Sequence, residues 1–442
     1  GDGYGRLQEG GKSMNPGIAM FAALIIFAVT YIFIITEWIN KMLASLIGGF
    51  LLIVTGILTQ GEAFKAVDWN VIFFLIGMML VISVLKKTGV FMYVAIKTAK
   101  LVRGHPVAIM MLMFAITAFF SAFLDSVTAV MILVPVVMLI CHELEITPVP
   151  FIITMAVASN MGGASTMVGD PPNVILGSAI GKTFLDFVTN LAPAAIASVI
   201  FSMGLIYLFY HKKLHVSLTN RAKLMSYNED KLIKDKRTLV ISLSVLSLML
   251  LALALDGVLH IGTASISMTA ALILMIISNR RNMEPVMAKE IDWVTLFFFI
   301  GLFIIVEGLV KTGFINMFAN KVISATGGNP RSTSMAILWL SGIFSAFVDN
   351  VPFVATMIPV LKQISQVINN PALMDPIWWC LSLGTCLGGN GTLIGASANI
   401  VSVGIAKQNG FHISFWDFTK ISVVFTLCSL VICTVYILLR YF

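Results

Sequence analysis

Apolar runs alternate with short polar gaps along the whole chain, at about 16–36, 42–60, 70–86, 106–141, 149–180, 191–210, 238–255, 261–279, 293–310, 333–361, 377–407 and 421–440. A straight helix needs about twenty residues to cross the hydrocarbon core of a bilayer. Two runs, 106–141 and 333–361, are too long for one crossing, and each is broken near its middle by a polar pair, Asp125-Ser126 and Asp349-Asn350. This pattern predicts a helical hairpin that enters and leaves on the same side. The runs 149–180 and 377–407 carry Gly-rich polar interruptions, which predict crossings made of two half-helices. The expected fold is therefore an all-α polytopic membrane protein with about ten transmembrane segments. A β-barrel does not fit, because its strands alternate over about ten residues where these runs are continuous.

Composition supports the same class and removes others. Of 442 residues, 58% are hydrophobic and 11% charged, and the mean hydropathy is +0.97. A soluble enzyme is excluded. The net charge of +7 is not a nucleic-acid signal, since Lys and Arg sit mainly in the gaps between runs, where they set orientation. Residues 211–237 hold eight Lys/Arg against three acids, which assigns that segment to the cytoplasm. Counting crossings from it places both termini outside, 86–103 inside with five basic residues, and 311–331 outside with three. The expected location is the cell inner (plasma) membrane, multi-pass. Residues 1–13 are Gly-rich and precede Met14, and we read them as a cloning remnant. The five cysteines show no CxxC or zinc spacing, so neither a disulfide framework, a structural metal nor a cofactor is expected.

The chain repeats itself. Phe73-Phe-Leu-Ile-Gly77 matches Phe297-Phe-Phe-Ile-Gly301, Lys87-Thr-Gly89 matches Lys311-Thr-Gly313, and Pro135 matches Pro359. Ser121-Ala-Phe-x-Asp125 matches Ser345-Ala-Phe-x-Asp349, all at an offset of 224. At an offset of 226, Gly162-Gly163, Thr166, Gly169 and Asn173 match Gly388-Gly389, Thr392, Gly395 and Asn399. The crossing count gives the two copies opposite orientations. The expected organisation is a first inverted repeat at 14–210, a basic linker at 211–237 and a second repeat at 238–442. Inverted repeats with paired broken segments are the architecture of many secondary transporters, and those breaks point to the binding site.

The candidate chemistry lies at the breaks. Asp125 stands with Ser121, Ser126 and Thr128, and Asp349 with Ser345 and Asn350. An intramembrane carboxylate is costly and usually marks an ion or proton path, although each Asp also suits capping of a half-helix. Asn160-Met-Gly-Gly-Ala-Ser165-Thr166-Met-Val-Gly-Asp170-Pro-Pro-Asn173 is the most specific stretch. Its prolines forbid a continuous hydrogen-bond ladder and its glycines allow close backbone approach. The counterpart, Gly388-Gly-Asn390-Gly-Thr392 through Ser397-Ala-Asn399, lacks the acid and the prolines, so one half-site is acidic and the other neutral and amide-rich. Glu307 is a weaker candidate that can pair with Lys311 at i+4. Asp256, His142 and Glu143 near run ends suit solvation, and the 25 methionines suit packing. Cys380 and Cys386 are six apart and do not share a helix face. Gly177 to Thr183 imitates a phosphate loop with one spacer too few, so the chain supplies no ATPase of its own.

At these residues the chain resembles the ion transporter superfamily, and within it the arsenite permease and sodium/proton antiporter group (ArsB/NhaD type). The resemblance is carried by Phe123-Leu-Asp-Ser-Val-Thr128, Gly169-Asp-Pro-Pro-Asn173, Phe347-Val-Asp-Asn-Val-Pro352 and Gly388-Gly-Asn-Gly-Thr392, and covers about residues 16–442. It implies an elevator-type transporter in which hairpins and broken helices move against a scaffold. The dicarboxylate relatives carry Ser-Asn-Thr at both hairpin tips; this chain departs from that at both, which argues against citrate or succinate. Arsenite or antimonite efflux in exchange for protons is the leading expectation. Sodium/proton antiport is the alternative, and an anion transporter or a channel the second alternative. Asp125, Asp170 and Asp349 are then the coupling residues. Ser121, Ser126, Thr128, Asn160, Ser165, Thr166, Asn173, Ser345, Asn350, Asn390, Thr392, Ser397 and Asn399 are the candidate substrate ligands. An ATPase subunit on the cytoplasmic loop and a homodimer are both compatible with the sequence.

Overall fold

A chain solvated by lipid must satisfy its backbone internally, and without barrel alternation only helices do so. The computed structural model describes residues 15–36, 38–226, 229–279 and 283–442. The presumed cloning remnant and two linker positions, 227 and 228, lie outside these residues. The first repeat comprises α1 (Pro16–Thr36), α2 (Lys41–Val54), α3 (Gln60–Ala66), α4 (Trp69–Lys87), α5 (Val90–Leu101), α6 (Pro106–Ser121), α7 (Ser126–Leu144), α8 (Val149–Gly163), α9 (Pro171–Ile180) and α10 (Phe184–Tyr210). The linker holds α11 (Leu218–Met225) and a 3-10 turn at Glu229–Leu232. The second repeat comprises α12 (Lys236–Ala254), α13 (Asp256–Leu259), α14 (Thr263–Asn279), α15 (Met283–Glu290), α16 (Trp293–Lys311) and α17 (Phe314–Thr326). It continues through α18 (Pro330–Ser345), α19 (Asn350–Ile368), α20 (Pro371–Gly388), α21 (Ser397–Gln408) and α22 (Phe415–Tyr441).

Eight of the described helices are long and apolar enough to cross a membrane. Two of these, α7 and α19, are second arms of the hairpins α6–α7 and α18–α19. The remaining crossings are the shorter α2 and α14 and the broken pairs α8–α9 and α20–α21. Local chemistry sets the limits that hydropathy missed. The α10 and α22 helices begin well before their apolar runs because capping boxes, Thr183 with Asp186 and Ser414 with Asp417, satisfy their first amides. Helix α2 stops short of its apolar run, and Gly56 just beyond it takes φ +76°. The repeated Lys-Thr-Gly ends α4 and α16 and turns the chain into α5 and α17, with Gly89 and Gly313 both at φ 83°.

The repeats exchange partners in one layer and keep their own in the other. Helix α4 packs along α14 and α16 along α2, while α6 packs on α8 and α18 on α20. Close approach needs small residues, as is usual where lipid supplies no hydrophobic drive between helices. A Cβ on Gly77 would lie 2.6 Å from the Ser267 carbonyl carbon, and one on Gly301 2.5 Å from that of Ser45. A Cβ on Gly162 would sit 2.0 Å from the Ala118 oxygen, and one on Gly388 2.4 Å from the Gly342 oxygen.

Ion pairs gather at the two ends of the bundle. At one end Lys87 pairs with Glu290 (3.1 Å) and Lys223 with Glu145 (3.3 Å), while the Lys234 amide donates to the Thr88 carbonyl (3.1 Å). The basic linker is thus seated beside the base of the first hairpin. At the other end Lys182 pairs with Asp375 (2.9 Å) and Lys311 with Glu62 (2.6 Å). The partner expected for Lys311, Glu307, is replaced by Glu62. Hydrogen bonds from the Lys311 ammonium and from Thr59 hold the Glu62 carboxyl down to about 2.

The glycine contacts make a direct prediction. Gly162→Ala and Gly388→Ala force backbone apart at the hairpins and are expected to cost about 1–3 kcal/mol. Gly204→Ala, where an added Cβ meets nothing within 4 Å, is expected to leave stability unchanged. Thermal unfolding of the purified variants in detergent checks the contrast.

Candidate functional site

Each broken helix exposes free peptide groups in the protein interior, and each hairpin tip does the same. The two sets are tied together by the same side chains in both repeats. Ser121 Oγ donates to the Ser159 carbonyl (2.5 Å), and Ser345 Oγ to the Thr385 carbonyl (2.7 Å). Thr166 Oγ1 donates to the Ala122 carbonyl (2.5 Å), and Thr392 Oγ1 to the Ala346 carbonyl. Asn173 Nδ2 donates to the Thr166 carbonyl (2.9 Å), and Asn399 Nδ2 to the Thr392 carbonyl (3.0 Å). Gly169 and Gly395 leave room for the hairpins, since a Cβ on either would meet a carbonyl oxygen of Ser121 or Ser345 at 2.6 or 2.7 Å.

A buried amide network joins the two broken helices across the pseudo-twofold. Asn160 Nδ2 donates to Asn390 Oδ1 (2.7 Å) and Asn399 Oδ1 (3.0 Å), leaving Asn160 Oδ1 without a partner among the described residues. Asn390 Nδ2 reaches back to the Val157 carbonyl (3.2 Å). On the other side Asn173 Oδ1 accepts from Ser382 Oγ (2.6 Å) and from the Cys386 thiol (3.7 Å). Cys386 stands where the first repeat has Asn160. Its thiol also lies within hydrogen-bonding reach of Asp170, just behind the cavity lining.

The three aspartates converge in front of this network. Asp125 caps α7: its Oδ1 accepts from the Thr128 amide (2.9 Å) and its Oδ2 from the Thr128 hydroxyl. Asp349 caps α19 through the Val351 amide (3.2 Å) and also accepts from Ser397 Oγ (2.7 Å), which opens the half-helix α21. Asp170 is the link between the tips. It is 2% exposed, with Oδ1 accepting from Ser126 Oγ (3.3 Å) and Oδ2 from Asn350 Nδ2 (3.0 Å). Capping and site chemistry coincide in these carboxylates.

A cavity of about 340 Å³ opens on this cluster. Its polar wall is Asp125, Ser126, Thr128, Asp170, Asn350 and Ser397, together with Lys41, Glu290, Asp292 and Thr295. Apolar side chains complete it, including Met78, Met79 and Phe298. Asp349 reaches the same wall through Ser397. The other expected ligands, Ser121, Asn160, Ser165, Thr166, Asn173, Ser345, Asn390, Thr392 and Asn399, lie behind the lining, where they hold backbone or one another. No cysteine is in the lining, and no metal-holding cluster of three His, Cys, Asp or Glu occurs among the described residues.

Lys41 is the residue that sequence reasoning missed. Its ammonium donates to Ser397 Oγ (3.0 Å), lies 4.0 Å from Asp349 Oδ2 and sits 5.3 Å from the Phe298 ring centre. A lone cation at the start of an apolar run reads as an orientation signal. Only the exchange of partners between the repeats brings it to the acids.

The division between wall and support can be measured. Ser121→Ala and Ser345→Ala are expected to cost about 0.5–1.5 kcal/mol of stability each without altering apparent substrate affinity. Ser397→Ala and Asn350→Ala are expected to change the transport KM. Thermal unfolding beside transport kinetics separates the two classes.

Comparison with known proteins agrees with this geometry. An uncharacterized transporter of Mycobacterium tuberculosis is 39% identical over 424 residues, covering 95% of this chain and 98% of the relative. The 46 kDa membrane protein of Mycobacterium leprae is 39% identical over 423 residues with the same coverage. The P protein of Sus scrofa is 29% identical over 502 residues, and the match spans 95% of this chain but 59% of that longer protein. The YdaH transporter of Alcanivorax borkumensis, described as having an unusual topology, shares the fold with a TM-score of 0.59 at 15% identity over 97% of this chain and 99% of that one. Residues 31–384 match the citrate transporter family. The chain is thus a multi-pass membrane transporter that belongs to the citrate transporter family of the ion transporter superfamily.

Proposed function

We propose that this transporter exports arsenite or antimonite in exchange for protons, by an elevator movement of the hairpins and broken helices against α2, α4, α14 and α16. The observation that carries the reading is the composition of the cavity wall: carboxylates, hydroxyls, one amide and one ammonium, with no thiol in the lining. At neutral pH arsenite is a small uncharged trihydroxide. Its hydroxyls donate to carboxylates such as Asp125 and Asp170, and its oxygens accept from Ser126, Thr128, Asn350 or Lys41. Such a solute needs no net charge from the site. A free tricarboxylate meets the opposite situation, because Asp125, Asp170 and Asp292 face it in the lining against Lys41, while Glu290 is already paired with Lys87. A like-charged pair at 4 Å costs about 4 kcal/mol at an effective dielectric of 20. The family's description therefore does not extend to free citrate here.

Proton exchange rests on Asp170. Its two oxygens accept one hydrogen bond from each hairpin tip, so protonating it turns an acceptor into a donor and weakens the link between the tips. Binding, protonation and release of the hairpins are then one event. The cavity extends to Glu290, beside the linker end of the bundle. With the linker in the cytoplasm, this is an inward-open arrangement. Sodium/proton antiport is the second reading, favoured by the hard oxygen ligands around Asp125 and Asp349.

Transport into inverted membrane vesicles with an imposed proton gradient distinguishes these. Accumulation of arsenite that collapses with the gradient is expected. Asp125→Asn, Asp170→Asn and Asp349→Asn are expected to abolish it in folded protein. Replacing all five cysteines by Ser is expected to preserve it, whereas loss there would restore a thiol site. Sodium-dependent proton movement without arsenite flux would replace the arsenite reading by cation antiport. Flux that never exceeds equilibrium would make the protein a channel.

A further inference from the structure

Lys41 is a cation in an expensive place. It is the first residue of α2, where the positive end of the helix dipole opposes it. Its side chain is 29% exposed, and it points away from the bundle end toward the acids. Three features fix it there. Ser397 Oγ accepts from its ammonium at 3.0 Å and donates to Asp349 Oδ2 at 2.7 Å. The same Asp349 oxygen lies 4.0 Å from the ammonium. The Phe298 ring, on the partner helix α16, lies 5.3 Å away and supplies a cation–π contact.

The repeat isolates what is special about this arrangement. The position equivalent to Asp349 is Asp125, that equivalent to Ser397 is Pro171, and that equivalent to Lys41 is Thr263, since Gly77 packs on Ser267 as Gly301 packs on Ser45. Among the described residues no ion pair is formed by Asp125, whose second oxygen accepts from Thr128. Among the described residues Asp349 is the one of the two hairpin carboxylates that carries a built-in positive charge. That charge is held on a different layer of the molecule from the carboxylate, since α2 packs along α16 while Asp349 and Ser397 belong to a hairpin and a broken helix.

An ammonium held by a carboxylate and a hydroxyl stands where an alkali cation would stand. Both carry one positive charge, and both take hard oxygen ligands. The lysine differs in being covalently tethered, so it fills the position at any sodium concentration. We propose that Lys41 is a tethered cation occupying a monovalent cation position at Asp349 and Ser397, and that it makes the exchanger selective for protons against sodium. The inference rests on reading the cavity as the transport site. It makes Lys41 a specificity-determining residue: with its charge removed, the acid-lined cavity acquires a sodium site.

The test is sodium binding to the purified full chain and does not require arsenite transport. Thermal unfolding is recorded in sodium, potassium and choline chloride at equal ionic strength. The wild type and Lys41→Arg are expected to show no sodium-specific shift. Lys41→Met is expected to show a saturable rise in Tm of several degrees in sodium alone, and the double variant Lys41→Met with Asp349→Asn is expected to lose it. Lys41→Gln carries the same expectation if the Met variant does not fold. A folded Lys41→Met or Lys41→Gln without the sodium shift would overturn the proposal. So would a wild type that already shows it, a result that needs no variant. If arsenite transport fails while the sodium shift in Lys41→Met appears, the substrate reading falls and the cation site stands.

Discussion

Interrupting a helix inside a membrane protein leaves peptide groups with nothing to bond, and each one left so costs several kcal/mol. This chain interrupts itself four times, at two hairpin tips and two broken helices. The solution is mutual. Each tip lies against the break of its own repeat, and a serine, a threonine and an asparagine take up the carbonyls that the interruptions free. Glycines at 162, 169, 388 and 395 permit the approach, because a Cβ at any of them would strike a carbonyl oxygen of the hairpin. The aspartates depend on this pairing, since it is what brings Asp170 to within hydrogen-bonding distance of both tips.

That constraint explains what was legible in the sequence. The ten crossings, the hairpins, the breaks and the inverted repeat followed from hydropathy and self-similarity, because the polar interruptions are confined to a few positions. The ligand set was less legible. Residues that recur in both repeats, such as Ser121 and Ser345 or Thr166 and Thr392, attracted attention as site candidates, and the structure uses them to hold backbone. Recurrence marks what both halves need in order to fold. The cavity wall is richer in positions where the halves differ: Asp170 against Ala396, Ser126 against Asn350, Pro171 against Ser397, and Lys41 against Thr263.

Other features escaped because their signal is tertiary. Lys41 reaches the acids only because α2 packs along α16 of the other repeat, and no local pattern announces that exchange. Lys311 had a suitable acid one helical turn before it in Glu307, yet it bonds Glu62 of α3. The early starts of α10 and α22 were written in the sequence as Thr-x-x-Asp and Ser-x-x-Asp, but a hydropathy run begins only where the first apolar stretch does.

The repeat also gives the molecule two related clefts of unequal depth, one at each end. A second, smaller cavity of about 210 Å³ lies at the end opposite the linker, lined by Asp68, Glu307, Lys362, Phe303, Ile175 and Ala355 among others. Four of these are the counterparts of residues in the wall of the first cavity: Asp68 of Asp292, Phe303 of Met79, Ile175 of Val401, and Ala355 of Met131. The two cavities are the same surface generated twice. They differ in depth, since the first ends on Asp125, Asp170 and Asn350, while the second includes none of the hairpin-tip polar residues. Near it, Ser178 Oγ donates to Asp68 Oδ2 (2.6 Å), and Asn70 Nδ2 donates to Ser178 and Thr263 (3.3 and 3.2 Å), which ties α9 to α4 and α14. The matching positions on the linker side are Gly404, Asp292 and Val294, and no such bridge can form among them. There Lys41 of α2 bonds Ser397 of α21 instead (3.0 Å), so the two equivalent clefts tie their broken helices to the scaffold with different chemistry, a neutral bridge at one end and a cation beside Asp349 at the other.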